Sequence, residues 1–245
     1  MSGHSKWSTI KRKKGAADVK RGAEFSKLAR LIEVAAKSGA DPNANFRLKL
    51  AVQTAKSANL PAANIERAIR KGAGLDKDAS NIDEIAYEGV GPGNIAVLIQ
   101  AMTDNKNRTV SELRSLFTKA GGNLGNSGSV AWQFQNKGVI LVPKSGNDME
   151  LKLIDAGAED FGDVGDAYEV YTDPKALNQV KQNLLGMGLS VKDDRLAMIP
   201  NSLVKITNSA QAQKIVQFIE ALEDHQDVAE VFTNFDIDDS TLAAL

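Results

Sequence analysis

Nine cations, Lys6, Lys11, Arg12, Lys13, Lys14, Lys20, Arg21, Lys27 and Arg30, crowd the first thirty positions around a single aromatic, Trp7. Lysine and arginine neutralise phosphates, while an exposed indole stacks on an unpaired base or lies in a groove. The chemistry these residue types can do is therefore the gripping of a polyanion. A run of four basic residues alone reads equally well as a solvated tail; its continuation onto a helix face is what favours binding. His4 stands in the same arm as a candidate phosphate contact, although a lone tail histidine is more often simply solvated.

A second candidate lies in Asp104-Asn105-Lys106-Asn107-Arg108-Thr109, where a strand gives way to a helix. Thr109 and Glu112 have the spacing of a capping box. Lys106, Asn107 and Arg108 are then left as donors beside a helix N-terminus, a favourable place for a phosphate. The glycine-rich stretch from Gly121 to Ser129 either lets the backbone approach a ligand or forms a mobile loop.

Catalytic chemistry finds no comparable support. With no cysteine in the chain, thiolate nucleophiles, disulfides and thiolate zinc sites are excluded. Gly89-Val90-Gly91-Pro92-Gly93 lies between two strands and reads as a hairpin turn, without the helix N-terminus that would hold a pyrophosphate. No Walker A sequence occurs. His225 beside Asp224 has neither a serine motif nor a second metal ligand near it in sequence, and Asp236-Ile237-Asp238-Asp239 lacks the glycine and closing glutamate of a calcium loop. The expectation is a protein with no catalytic residue, metal, cofactor or small-molecule substrate.

The elements that must position these residues follow from the apolar pattern. A polar arm leads into a helix from Ala16 to Ser38 carrying Phe25, Leu28, Ile32 and Ala35 on one face, stopped by Gly39. A second helix begins at Asp41-Pro42 and carries Phe46, Leu50 and Val52. A third begins at Pro61, carries Ile65, Ala68 and Ile69, and ends at Gly72. Residues 73–81 read as a linker. Strands at 82–88 and 95–103, a helix at 110–120 and a strand at 130–135 then form an incomplete sheet. Residues 139–199 read β-α-β-β-α-β, the ferredoxin-like order. The helix at 209–222 and strand at 228–235 return to the incomplete sheet. The expected fold class is thus α+β and multidomain. A basic arm and helical domain cover residues 1–80, a discontinuous α+β domain covers 81–136 and 199–245, and a ferredoxin-like domain at 137–198 is inserted into it.

Charge follows the same division. The overall net charge of −1 conceals 16 Lys/Arg against 5 Asp/Glu in residues 1–75, a net of +11, balanced by −12 in the remainder. Such asymmetry attracts DNA, RNA or an anionic surface and releases their counterions. No stretch approaches the roughly 18 apolar residues that span a bilayer, and the N-terminus lacks a signal-peptide apolar region. A cytoplasmic protein without membrane contact is expected.

Several ordered stretches resemble the YebC family across essentially the whole chain. They are Gly3-His4-Ser5-Lys6-Trp7, Ile10-Lys11-Arg12-Lys13-Lys14, Asp18-Val19-Lys20-Arg21-Gly22, Tyr87-Glu88-Gly89, Gly91-Pro92-Gly93, Asp104 to Thr109 and Gly121 to Gly125. The resemblance implies a helical N-terminal domain followed by two α+β domains, one ferredoxin-like and inserted in the other. It also implies a non-enzymatic regulator, since bacterial members are described as DNA-binding transcriptional regulators. The mitochondrial relative is a translational activator of cytochrome c oxidase, and related bacterial proteins are ribosome-associated. The expected partner is accordingly DNA, with the ribosome or its RNA as the alternative.

Overall fold

The computed structural model describes residues 20–76, 81–146, 148–238 and 241, with side chains from Gly22 onward. Within these residues the chain divides into two units, one built from residues 20–129 and 213–231, the other from 130–212 and 232–241.

The first unit opens with three helices, α1 (Lys20–Ala36), α2 (Phe46–Ser57) and α3 (Ala62–Gly72). Their shared core holds Ile32, Ala35 and Ala36 from α1, Leu48, Ala51 and Ala55 from α2, and Ile65 and Ala68 from α3. Alanines at most of these positions let the helices approach closely. Closest of all is Gly72 on α3, where an added Cβ would stand 2.1 Å from the Glu33 carbonyl oxygen of α1. Asn45 sets the start of α2: its Oδ1 accepts from the Leu48 amide at 3.1 Å, while its Nδ2 donates to the carbonyls of Ala35 and Gly39 at 2.8 Å each. The second helix therefore starts four residues later than Asp41-Pro42 suggested. Phe46, expected in the core, is 41% exposed, because the buried stripe of α2 runs through Leu48, Ala51 and Ala55 instead.

The sheet of this unit follows. Strand β1 (Asp83–Val90) pairs antiparallel with β2 (Ala96–Thr103) in a register running from Asp83 opposite Thr103 to Val90 opposite Ala96. Helix α4 (Lys106–Ala120) returns the chain to β3 (Asn123–Leu124) on the outer edge of β1. The order is β3-β1-β2-β9, the last strand being β9 (Val228–Thr233) from near the C-terminus. Val34 of α1 packs with Ile82 and Met102, joining the helices to the sheet. On α4, Phe117 is fully buried and meets Phe218 edge-on at 4.9 Å between ring centroids.

The second unit is built on β4 (Phe134–Pro143), α5 (Met149–Asp155), β5 (Asp160–Asp163), β6 (Ala167–Thr172), α6 (Leu177–Gly186) and β7 (Asp193–Pro200). The sheet order β5-β6-β4-β7, with every pair antiparallel, is the ferredoxin-like arrangement. The expected strand at 130–135 is corrected: residues 131–133 form a single 3-10 turn, and Phe134 onward belongs to β4 rather than to the first sheet. The gap left at 136–138, between the two expected strands, is continuous strand. Gly138 is required there by close packing, since a Cβ would stand 2.4 Å from Thr172 Oγ1 and 2.9 Å from Leu177 Cβ. Two short strands, β8 (Val204–Ile206) and β10 (Phe235–Ile237), pair parallel on either side of α7 (Ser209–Glu223) and β9 in sequence. The fold is α+β, with a helical N-terminal domain followed by two α+β domains. The ferredoxin-like run is inserted in the chain between β3 and the β9 strand of the other sheet.

Candidate nucleic-acid interface

Asp227, the residue before β9, organises the region around the Asp104 to Thr109 stretch. Its side chain is fully buried and accepts from Arg30 Nη1 at 2.7 Å through Oδ1 and from Arg108 Nη2 at 2.8 Å through Oδ2. Thr109 Oγ1 lies 2.8 Å from the same Oδ2, and Thr103 Oγ1 lies 3.2 Å from it. Burial alone pushes this carboxyl up, but the bonds from Arg108, Thr109 and Arg30 outweigh it and hold the group down at about 2. The Arg108 guanidinium is correspondingly raised, chiefly by its bond to Asp227.

This arrangement corrects the capping-box expectation. Helix α4 starts at Lys106, and its cap is Asn105, whose Oδ1 accepts from the Arg108 amide at 3.1 Å. Thr109 is one turn inside the helix, where its buried hydroxyl serves Asp227, and Glu112 reaches His225.

The arm residues His4, Lys6, Trp7, Lys11, Arg12, Lys13 and Lys14 lie outside the described residues, as do the side chains of Lys20 and Arg21. The remaining candidates are described. Lys27 Nζ donates to the Glu223 carbonyl, and Arg30 is committed to Asp227 and to the Gln226 carbonyl at 3.1 Å. Lys106 forms an exposed ion pair with Asp83 at 2.8 Å, which raises the lysine and lowers the carboxyl through their mutual hydrogen bond. Asn107 is exposed in the first turn of α4. Arg108 bonds Asp104 at 3.0 Å as well as Asp227. Lys106, Asn107 and Arg108 thus share one helical turn, with the two cations held by carboxylates.

His225 also departs from its expectation, because Glu112 and Asp227 both bring ligand atoms within a 4.8 Å cluster around it. Most of these ligand atoms already have partners. His225 Nδ1 accepts from the Asp227 amide at 3.1 Å, which leaves the proton on Nε2, 2.8 Å from Glu112 Oε2. Asp227 faces two guanidiniums. A cation here would have to compete with an arginine for either Asp227 oxygen, so the donor set fits a hydrogen-bonded histidine better than a metal.

The glycine-rich loop is anchored from below. Glu88, 4% exposed on β1, accepts from the Gly128 amide at 2.7 Å through Oε1, and its carbonyl accepts from the Gly125 amide at 2.7 Å. Tyr87 beside it is half-buried, and burial followed by the nearby Asp227 charge raises its hydroxyl. Sequence reasoning missed Asp227 altogether and named Glu88 only within the Tyr87-Glu88-Gly89 stretch, without a role. A lone acidic residue opening an apolar strand was the only available signal for Asp227.

Comparison with known proteins matches residues 5–75 to the TACO1/YebC protein N-terminal domain and residues 82–235 to the TACO1/YebC second and third domain. A protein of Syntrophomonas wolfei named "Probable transcriptional regulatory protein" is 48% identical, with all of both chains covered. A protein of the same name from Natranaerobius thermophilus is 49% identical over 99% of each chain. The crystal structure of a conserved hypothetical protein from Aquifex aeolicus superposes with a TM-score of 0.82 at 44% identity, covering 91% of this chain and 93% of the other. The chain belongs to the TACO1/YebC family.

Proposed function

We propose that this protein is a non-enzymatic, cytoplasmic regulator of gene expression that binds DNA as a transcriptional regulator, using the basic arm and first helix. The carrying observation is the separation of charge, +11 in residues 1–75 against −12 in the rest. A local excess of that size binds a phosphate backbone, while the acidic remainder limits indiscriminate coating. The names of the relatives, probable transcriptional regulatory proteins, support the same reading. No described helix is long and apolar enough to cross a membrane, and the proposed partner is a nucleic acid.

A second reading, a translation factor bound to the ribosome or its RNA, is favoured by one feature of α1. Three of the cations on and just after it are occupied internally: Lys27 and Lys37 by the carbonyls of Glu223 and Ile82, and Arg30 by Asp227. A helix so committed offers few side chains to the base edges of a major groove, whereas phosphate and shape recognition of RNA needs no such helix. Promoter footprinting and ribosome co-sedimentation, both at physiological salt, separate the readings. A footprint without co-sedimentation supports the DNA reading, and co-sedimentation without a footprint overturns it in favour of the ribosome.

A further inference from the structure

Helix α2 carries cations but no acidic residue: its charged side chains are Arg47, Lys49 and Lys56. Arg47 is paired with Glu84. Lys49 and Lys56 are exposed, and neither has a carboxylate partner among the described residues. They stand two turns apart, about 10 Å along the axis, with exposed Gln53 between them. Phe46 completes the row. At 100° per residue, Phe46, Lys49, Gln53 and Lys56 fall within an arc of about 80°, opposite the buried stripe of Leu48, Ala51 and Ala55. Phe46 takes no part in that apolar cluster and is 41% exposed.

We propose that this outward face of α2 is a second nucleic-acid contact, separate from the arm, and that it takes an unpaired strand. The inference rests on the proposed nucleic-acid function and specifies the form of its target. Charge complementarity carries the choice of a polyanion: two cations without counter-charges project from an acid-free helix. The exposed ring carries the choice of an unpaired strand. A phenyl face stacks on any splayed base and finds no such surface on a closed duplex, where bases are already stacked. Lys49 and Lys56 hold the backbone on either side, and Gln53 offers both a donor and an acceptor to a base edge.

The test is fluorescence anisotropy of the full chain with labelled oligouridylate, oligothymidylate and a duplex of the same length, titrated over a range of salt. Phe46→Ala should weaken binding to both single strands about tenfold, within the range one base-aromatic stack supplies, and change duplex binding by less than about twofold. Phe46→Trp should retain the affinity, and because Phe46 lies outside the core both variants should melt close to the parent. Lys49→Ala with Lys56→Ala should lower the single-strand salt slope by about 1.4, roughly 0.7 for each lost phosphate contact. A Phe46→Ala protein that binds single strands as tightly as the parent overturns the inference, and so does an equal loss on single strand and duplex. If the parent chain binds none of the probes, the proposed function itself fails. If the parent binds while the α2 variants match it, only the second contact fails.

Discussion

Arg30 Nη1 lies 2.7 Å from Asp227 Oδ1, although the two residues are 197 positions apart in the chain. The contact ties the first described helix to the residue that leads into the last strand of the β3-β1-β2-β9 sheet, and Arg108 closes on the same carboxylate from α4 at 2.8 Å. Removing one partner of a buried ion pair strands the others, which costs about 3 to 5 kcal/mol. Asp227→Ala should therefore lose roughly that much stability in urea unfolding, since Arg30 would lose its carboxylate and Arg108 would keep only the exposed Asp104. A loss below about 1 kcal/mol would show that the pairing is incidental.

The same carboxylate predicts an acid limb of stability. Its folded value, about 2, lies below the ordinary aspartate value of 3.8. The stability it contributes is therefore fully present above the unfolded value and is lost as pH falls from about 4 toward 2. A shift of this size corresponds to about 2 kcal/mol. Chemical denaturation across that window should show the decline in the parent chain and a shallower one in Asp227→Asn. Equal slopes would contradict the assignment.

Helix α4 separates two capping schemes. With Asn105 as the cap, Asn105→Ala should cost about 1 kcal/mol, while Glu112→Ala, which loses only an exposed contact to His225, should cost less than about 0.5. The reverse ranking in thermal melts would restore the Thr109 and Glu112 capping box.

Two glycines on neighbouring helices should respond in opposite directions to alanine. At Gly22 on α1 an added Cβ would have nothing within 4 Å, so Gly22→Ala should stabilise by about 0.5 to 1 kcal/mol. At Gly72 the Glu33 carbonyl oxygen would stand 2.1 Å away, so Gly72→Ala must push α3 from α1 and should cost about 1 to 3 kcal/mol. Melting temperatures that move the same way in both variants would contradict this packing.

Features that depend on local period were legible in the sequence. The β-α-β-β-α-β order, the three N-terminal helices and the return of a late helix and strand to the first sheet all follow from apolar spacing and turn residues. Long-range relations were not legible. Asp227 draws its partners from positions 30, 103, 108 and 109, and no local pattern announces a carboxylate shared by two arginines. Gly138 falls in the gap between two expected strands, whereas in the fold its lack of a side chain lets one continuous strand pass beside Leu177. Phe46 read as core because an apolar residue was counted without its angle on the helix. In the candidate interface, Lys27, Arg30, Lys106 and Arg108 were read as outward donors, and each has an internal partner that spacing could not reveal.

If the basic arm grips a phosphate backbone, the salt dependence of binding must register it most directly. The affinity of the full chain for duplex DNA and for ribosomes should be compared with that of a chain lacking residues 1–15. With Lys6, Lys11, Arg12, Lys13 and Lys14 all contacting phosphate, deletion should lower the salt slope by roughly 3.5 to 4.5, at about 0.7 to 0.9 per contact. An unchanged slope on both targets would contradict the arm's role.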